Sequence, residues 1–222
     1  AVQPFSKILV EDYNYPKENI QTRPQFRVKK SPSDKNPKWP VDIAIFPNKA
    51  KKPEEVEILV ECKKKTRGDG RDQLEDYMRL SRATVGVWYN GEERLFLRKI
   101  EKKGTITFEE IPNIPMYGQR LEDIGKFKRK DLKPTHNLKS VFKTTRNYLA
   151  ANNVGATRDE ILAQQLINII FCKIYDEKFT AQDDYCNFRV GVDENPQEVR
   201  KRIQTLFNQV KKKYKDVLSE ED

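Results

Sequence analysis

A carboxylate and an ammonium group two residues apart form the strongest chemical signal in the sequence. They lie in the segment Val-Glu-Ile-Leu-Val-Glu-Cys-Lys at 56–63, whose β-branched residues predict a strand. Because side chains alternate along a strand, Glu61 and Lys63 share one face and Cys62 lies on the other. The pattern therefore predicts an acidic and a basic side chain together at the carboxyl end of this strand.

A second carboxylate, Asp42, interrupts the apolar run Val-Asp-Ile-Ala-Ile-Phe at 41–46. A charge inside such a strand is unfavourable unless it is paired or holds a cation. Two carboxylates from neighbouring strands, with a lysine beside them, suit Mg²⁺, which takes one or two carboxylates and completes its shell with water and phosphate oxygens. A structural ion pair at a sheet edge is the alternative that these residues leave open.

The elements that would position these side chains alternate between strands and helices in the first half of the chain. Gly68-Asp69-Gly70 ends the strand at 56–63 and opens a helix, and Asn90-Gly91 is a strong β-hairpin signal. The predicted fold class is α/β (α+β), a mixed sheet with flanking helices, over residues 1–111. Strands are predicted at 24–29, 41–46, 56–63, 84–89, 93–99 and 105–111, and helical spacing of apolar residues at 5–13 and 74–81.

The composition changes after the last predicted strand. Pro and Gly residues punctuate a basic segment, 112–134, which we interpret as a linker. An all-α helical domain is predicted for 135–222, with helices that begin near Leu138, at the capping box Thr157-x-x-Glu160 and at Asn195-Pro196. In the second of these helices we predict one apolar stripe, formed by Ile161, Leu162, Leu166, Ile169, Ile170 and Ile174.

The overall composition excludes several classes of protein. The 222 residues include 43 Lys and Arg against 34 Asp and Glu, and the net charge of +9 favours a polyanionic partner. Cys62, Cys172 and Cys186 form no C-x-x-C pair, and His136, which we expect at the surface, is the single histidine. This pattern excludes a zinc finger and favours a reducing compartment. No apolar stretch approaches the ~20 residues of a membrane span, so we expect a cytoplasmic protein without a membrane partner.

The candidate residues occur in the order of a known nuclease motif. Pro40-x-Asp42, followed by Glu61-x-Lys63, resembles the P-D…(D/E)-x-K motif, although one residue separates a proline and an aspartate that are often adjacent in the family. The resemblance implies DNA hydrolysis that depends on Mg²⁺ or Mn²⁺. Asp42, Glu61 and the backbone carbonyl of Cys62 would hold the metal, and Lys63 would position the attacking water or stabilise the developing negative charge.

A second element follows on the next predicted helix. Gln73-x-x-x-Tyr77 resembles the Q-x-x-x-Y element of RecB-type nucleases and type I restriction R subunits, and its i, i+4 spacing brings both side chains to the same side. The resemblance implies that they orient the lysine or touch the DNA backbone. Residues from about 5 to 111 are thus similar to the N-terminal nuclease domain of those R subunits. Four basic residues beside the motif are predicted to bind DNA: Lys64, Lys65, Arg67 and Arg71.

The helical half has a resemblance of its own. Segments 142–152, 163–177 and 202–214 resemble the N-terminal helical segment of adenine-N6 DNA methyltransferases of restriction-modification systems. This implies a fragment of a nuclease–methyltransferase fusion. No glycine-rich S-adenosylmethionine loop and no N-P-P-Y motif occur in the sequence, so S-adenosylmethionine would bind only through a domain outside it. The implied partners are double-stranded DNA and methyltransferase and specificity domains or subunits.

Three classes of function follow from these patterns. The first is a divalent-metal-dependent DNA endonuclease of a restriction-modification system. The second is a DNA-binding module whose nuclease fold does not cut, and the third is a module whose helices dock a methyltransferase or specificity partner. Binding of a divalent metal separates the first from the others, and salt-sensitive DNA binding separates the second from the third.

Overall fold

A computed structural model of the chain describes residues 2–29, 33–36, 38–67, 69–132, 134, 138–152 and 159–215. The chain divides into two compact units, Ala1–Leu121 and Glu122–Asp222. No helix in the described part of the chain is long and apolar enough to span a membrane. Among the sequence-based expectations, the capping-box residue Thr157 and the surface position of His136 lie outside the described residues.

The first unit is a mixed six-stranded sheet with two helices. The sheet order is β1-β4-β5-β6-β7-β8, and a separate antiparallel pair is formed by β2 and β3. Only β5 and β6 are parallel, and α2 is the crossover helix between them. The elements are α1 Val2–Glu11, β1 Ile20–Gln21, β2 Arg27–Val28, β3 Trp39–Pro40, β4 Ile43–Ile45, β5 Ile58–Cys62, α2 Arg71–Arg79, β6 Val85–Tyr89, β7 Arg94–Lys102 and β8 Thr105–Glu110.

This architecture confirms the predicted fold class, a mixed sheet with flanking helices followed by a helical part. The longer strands lie where the apolar patterns predict them, and the chain reverses at Asn90-Gly91 between β6 and β7. The predicted strand at 24–29 is shorter, because only Arg27 and Val28 pair, with the two residues of β3. Strands of two residues, such as β1 and β3, carry no periodicity in the sequence and depend on partners that are distant in the chain.

The central strands of the sheet are buried on both faces. Every residue of β6 is buried, and the first four residues of β5 are buried as well. Helix α2 covers one face through Leu74 and Met78, which pack against Leu59 of β5. It approaches β6 closely at Gly86, where an added Cβ would lie 2.3 Å from the sulfur of Met78. A glycine in β6 therefore sets the distance between α2 and the sheet.

The described residues of the second unit form three α-helices, α3 Leu138–Asn152, α4 Asp159–Phe179 and α5 Pro196–Lys213. Asn195 caps α5, as the sequence predicts: its side-chain oxygen accepts the backbone N–H of Gln197 at 2.9 Å. The prediction of one apolar stripe on α4 is wrong, because Leu162 is buried whereas Ile161 and Ile174 are exposed. Apolar residues surround this helix, so sequence spacing alone does not select the buried face.

Candidate active site

Asp42 lies between the end of β3 and the start of β4, beside the carboxyl end of β5. In the antiparallel β4–β5 ladder Ile43 is opposite Val60, so extending the register by one residue places Asp42 opposite Glu61. The carboxylate oxygen Oδ2 of Asp42 accepts the backbone N–H of Cys62 at 2.8 Å. The residue before Asp42, Val41, is fully buried and anchors this part of the chain in the core.

Glu61 and Lys63 form an ion pair that is largely shielded from solvent. The distance between Lys63 Nζ and Glu61 Oε1 is 2.6 Å, and the two side chains are 13% and 5% exposed for Lys63 and Glu61, respectively. The two side chains share a face because the residues are two positions apart in an extended chain. The backbone N–H of Lys63 donates to Tyr89 O at 2.8 Å, which continues the pairing of β5 with β6 beyond Cys62. The predicted acidic and basic side chains therefore lie together.

Gln73 and Tyr77 of α2 extend this pair into a line of hydrogen bonds. Lys63 Nζ donates to Gln73 Oε1 at 2.8 Å, and Gln73 Nε2 donates to the hydroxyl oxygen of Tyr77. An ammonium group can only donate, so Gln73 must present its carbonyl oxygen to Lys63 and its amide nitrogen to Tyr77. The i, i+4 spacing on α2 thus connects the helix to the lysine through a fixed amide orientation.

Gly70 and Trp88 support this arrangement and were not among the residues that the sequence singled out for chemistry. Gly70 precedes α2 with φ +113°, and a Cβ there would lie 2.5 Å from Lys63 Cε. Trp88, opposite Glu61 in the parallel β5–β6 pair, donates its indole N–H to Asp69 O at 2.8 Å. Both residues hold the chain that leads from Lys63 into α2. The Gly68-Asp69-Gly70 break before the predicted helix was the available sequence signal for Gly70, and the tryptophan gave none.

A lysine at the opposite end of α2 fixes that helix from the other side. Lys99 Nζ donates to the carbonyl oxygens of Met78 and Ser81, each at 2.8 Å, and so satisfies carbonyl groups at the end of α2. Partial burial lowers the pKa of Lys99. The helix that carries Gln73 and Tyr77 is therefore anchored at both ends.

The electrostatics of the site are dominated by burial. Burial raises the pKa of Glu61, the hydrogen bond from Lys63 opposes this shift, and the negative charge of Asp42 adds to it. Burial also raises the pKa of Tyr77, and it raises the pKa of the Cys62 thiol to about 12. Cys62 is therefore a protonated thiol at neutral pH and unsuited to act as a nucleophile.

The donor set at this edge fits a hard divalent cation. Within the described residues no group of three His, Cys, Asp or Glu side chains is arranged to hold a metal ion. Mg²⁺ does not need such a group, because one or two carboxylates with waters and phosphate oxygens suffice. Asp42 and Glu61 are two carboxylates that face each other. Burial and the charge of Asp42 raise the pKa of Glu61, and a bound cation would stabilise the ionised form of both groups.

The four predicted DNA-binding residues lie on the loop and helix end beside the site, and all four are exposed. Three of them form ion pairs: Lys65 with Glu92 at 2.7 Å, Arg67 with Asp69 at 2.5 Å, and Arg71 with both Glu75 and Glu110 at 3.1 and 2.7 Å. Lys64 has no ion-pair partner among the described residues. Exposed pairs of this kind contribute only about 0–1 kcal/mol each, so their cations can exchange partners.

Comparison with known proteins gives one family. The family model described as type I restriction enzyme R protein N terminus (HSDR_N) matches residues 2–115, which include β1 to β8 and both helices of the first unit. No curated protein matches the chain. Because the matched segment covers more than half of the sequence and contains Asp42, Glu61, Lys63, Gln73 and Tyr77, the chain belongs to the type I restriction enzyme R protein N-terminal family.

Proposed function

We propose that the first unit hydrolyses phosphodiester bonds of DNA with Mg²⁺ or Mn²⁺ as cofactor. The observation that carries this proposal is the hydrogen-bonded line from Glu61 through Lys63 and Gln73 to Tyr77, at the edge where Asp42 faces Glu61. The family supports a role in a restriction enzyme, and the arrangement of side chains supports the cleavage step.

The protein ligands of the metal would be one oxygen of Asp42, one oxygen of Glu61 and the backbone carbonyl of Cys62. When bound, the cation would polarise the scissile phosphate and lower the pKa of a water molecule. The hydrogen bonds of the described residues engage Asp42 through Oδ2 and Glu61 through Oε1. Each carboxylate therefore has a second oxygen through which it would meet the cation.

Lys63 would act on the phosphate itself. Two of the three N–H groups of its ammonium have acceptors, Glu61 Oε1 and Gln73 Oε1, and these fix where the third N–H group points. A preorganised donor of this kind stabilises negative charge as it develops on a phosphate oxygen. Gln73 and Tyr77 are positioning residues in this scheme, because they act on the reaction through Lys63. The basic residues Lys64, Lys65, Arg67 and Arg71 would neutralise nearby DNA phosphates.

The test uses the full chain with three substitutions at the site: Asp42→Asn, Glu61→Gln and Lys63→Met. Cleavage of plasmid DNA and calorimetric titration with MnCl₂ are measured on each variant. We expect the two carboxylate variants to lose metal binding and cleavage. The lysine variant keeps the metal and loses cleavage by about 10²–10³-fold, the effect of removing one preorganised donor.

The control is Glu57→Gln, which removes an exposed carboxylate just before the opposite end of β5. This variant should bind the metal and cut as the wild type does. Cleavage that survives in Asp42→Asn and Glu61→Gln would overturn the proposal. A wild-type chain that binds DNA but neither binds Mn²⁺ nor cuts would establish the alternative, a nuclease fold that serves only for DNA binding.

For the second unit we propose the docking of an adenine-N6 methyltransferase domain in a restriction-modification fusion. The observation that favours it is the exposure of apolar side chains on α3 and α4, which a further domain would cover: Val141, Phe142, Ile161, Ile167 and Ile174. The test is the coding sequence downstream of Asp222. A glycine-rich S-adenosylmethionine loop and an N-P-P-Y motif there would support the proposal, and an open reading frame without them would overturn it.

A further inference from the structure

A second basic surface lies next to the site, on the described residues of the segment 23–40, which we name the basic arm. It holds six basic residues and a single acidic one, Asp34, in 18 positions of the sequence. The chain as a whole has 43 basic against 34 acidic residues, so more than half of its net charge of +9 arises here. The arm also contains β2 and β3, the two-stranded ribbon that stands apart from the main sheet.

The ribbon directs its cations to one side. Arg27 is opposite Pro40 and Val28 is opposite Trp39, so continuing the register places Lys29 opposite Lys38. Val28 is buried, and alternation therefore places Arg27, Lys29 and Lys38 on the outward face, where all three are exposed. The guanidinium of Arg27 donates to Lys38 O at 2.8 Å, which ties the two strands together at this face. Three positive charges thus share one surface of a fixed ribbon.

The arm is joined to the site by its backbone and by an aromatic contact. Asp42 follows the end of β3 by two residues, and between them the buried Val41 donates its N–H to Phe26 O at 2.8 Å. The ring of Trp39 meets the ring of Tyr77 edge-on, with 6.1 Å between the centroids. Trp39 lies on the face of the ribbon opposite to the three cations, so its contact with Tyr77 fixes the ribbon in place. A molecule held on the outward face at the end of β3 would lie near Asp42, which is two residues further along the chain.

The arm differs from the basic residues beside the motif in its ion pairing. In the described part of the chain, Arg27, Lys29, Lys35 and Lys38 have no carboxylate within ion-pair distance, whereas Lys65, Arg67 and Arg71 all have one. Cations without a protein partner release only solution counterions when they bind phosphate. The arm can thus bind a polyanion without breaking an ion pair within the described part of the protein.

We propose that the basic arm binds the phosphate backbone of duplex DNA and holds the duplex against the edge formed by Asp42 and Glu61. This inference rests on the proposed function, which supplies the reason that the polyanion is DNA. A two-stranded ribbon is also an element that the major groove of DNA admits. The arm supplies affinity without sequence preference, because phosphate contacts carry no base information.

The experiment compares two fourfold variants of the full chain that change the net charge equally. The arm variant is Arg27→Gln, Lys29→Gln, Lys35→Gln and Lys38→Gln. The control variant is Lys102→Gln, Lys103→Gln, Arg200→Gln and Lys212→Gln, at exposed positions on the β7–β8 turn and on α5. Binding to a duplex of about 30 base pairs, long enough to cover the arm at 3.4 Å per pair along each strand, is measured in EDTA over a range of salt concentrations.

We expect the arm variant to bind more weakly than the wild type. The slope of log K against log salt should become less steep by about 0.9 for each phosphate that the variant no longer neutralises, up to about 3.6. The control variant should change the slope by less than the value for one phosphate. Equal decreases of affinity in the two variants would overturn the proposal, since they would show a response to net charge alone. Wild-type binding by the arm variant, or a wild type that does not bind DNA, would also overturn it and would leave an acidic protein as the remaining partner.

The same measurements distinguish this proposal from the cleavage proposal. Asp42→Asn should retain binding in EDTA although it does not cut. A wild type that binds through the arm but neither binds Mn²⁺ nor cuts would overturn the cleavage proposal and support the arm. Equal cleavage by the wild type and by the arm variant would support the cleavage proposal and overturn the proposal for the arm. Fluorescence of Trp39 and Trp88 in each variant verifies that the first unit is folded.

Discussion

Each unit of the chain contains a shielded glutamate that pairs with a cation, and the pKa values of the two glutamates shift in opposite directions. In the first unit, burial raises the pKa of Glu61 in spite of the hydrogen bond from Lys63. In the second unit, the hydrogen bond from Arg202 lowers the pKa of Glu194 to about 2, despite burial. The side chain of Glu194 is 16% exposed and that of Glu61 is 5% exposed, and burial is the largest cause of the shift for Glu61 but not for Glu194.

The neighbours of each carboxylate add to the effect of burial. Glu194 accepts two N–H groups of Arg202 and the backbone N–H of Gly191, and Arg189 adds a second guanidinium at 3.9 Å. Glu61 receives one ammonium and faces a second carboxylate, Asp42. Glu194 is thus held by two guanidinium groups and a backbone N–H and stabilises its fold, although Arg189 Nε is buried without a hydrogen-bond partner among the described residues. Glu61 has one cation and a neighbouring carboxylate, and a carboxyl with a perturbed pKa in such surroundings is typical of functional sites.

The largest expected effect on stability that tests this comparison comes from removing the cation of each pair in turn. Arg202→Met should destabilise the second unit by about 3–5 kcal/mol, because it leaves Glu194 charged and shielded and removes bonds to the carbonyl oxygens of Asn187 and Arg189. Lys63→Met should destabilise the first unit by less than half of that, because losing the hydrogen bond from Lys63 raises the pKa of Glu61 further and so favours its neutral form.

Urea unfolding separates the two units in this experiment. Both tryptophans of the chain, Trp39 and Trp88, lie in the first unit, so their fluorescence reports on that unit alone. Far-ultraviolet circular dichroism follows the helices of both units, so a transition that it shows and fluorescence does not belongs to the second unit. Equal decreases of stability in Lys63→Met and Arg202→Met would mean that the two pairs play the same structural role.

A smaller effect concerns the distance between α2 and the sheet. In Gly86→Ala the new methyl group would press on Met78, and overpacking of this kind costs about 1–3 kcal/mol. Relief of this contact moves α2, and with it Gln73 and Tyr77, away from Lys63. DNA cleavage should therefore decrease while binding of Mn²⁺ remains. Gly104→Ala is the control, because nothing lies within 4 Å of its added Cβ and its φ of +78° introduces strain far from α2. Equal decreases of cleavage in both variants would refute this role of Gly86.

Much of the site could be predicted because its residues lie in regular elements. Alternation along β5 places Glu61 and Lys63 on one face, and the helical spacing of Gln73 and Tyr77 places both on one side of α2. Both rules are local, since they depend only on which element a residue belongs to. The mixed sheet was predictable for the same reason, because β5 to β8 are long enough to show their patterns.

The remaining features depend on contacts that no local pattern contains. β1 and β3 have two residues each, and they exist because the chain pairs with segments that lie elsewhere. The basic arm is a run of Lys, Arg and Pro in the sequence, and only its ribbon geometry shows that the cations share a face. On α4 apolar residues occur on every side, so periodicity could not distinguish the exposed Ile174 from the buried Leu162.

The acid response of the second unit gives a third, smaller test. Because the pKa of Glu194 is lowered from 4.5 to about 2 in the folded chain, its ionised form stabilises the fold above pH 4.5, and this contribution disappears as pH falls to about 2. Glu194→Gln lacks this contribution at every pH. The stability difference between wild type and Glu194→Gln should therefore shrink as pH falls through this window. A stability difference between the two proteins that stays constant from about pH 6 to about pH 2 would show that the charge of Glu194 does not stabilise the fold.

The smallest effect has the opposite sign and concerns Glu61→Gln. The glutamine keeps an oxygen for Lys63, and it removes both the buried charge and the repulsion from Asp42. A carboxyl whose pKa is raised on folding contributes stability that is present below its ordinary pKa of 4.5 and is lost as pH rises through the folded value, so at neutral pH its charge is a penalty. In EDTA, Glu61→Gln should leave the first unit as stable as the wild type or more stable, by up to about 1 kcal/mol. The advantage should grow with pH, as fluorescence-monitored unfolding at several pH values would show. Substitutions that stabilise a fold while removing its activity are typical of functional sites, so a destabilised Glu61→Gln would instead place Glu61 with Glu194, as a structural residue.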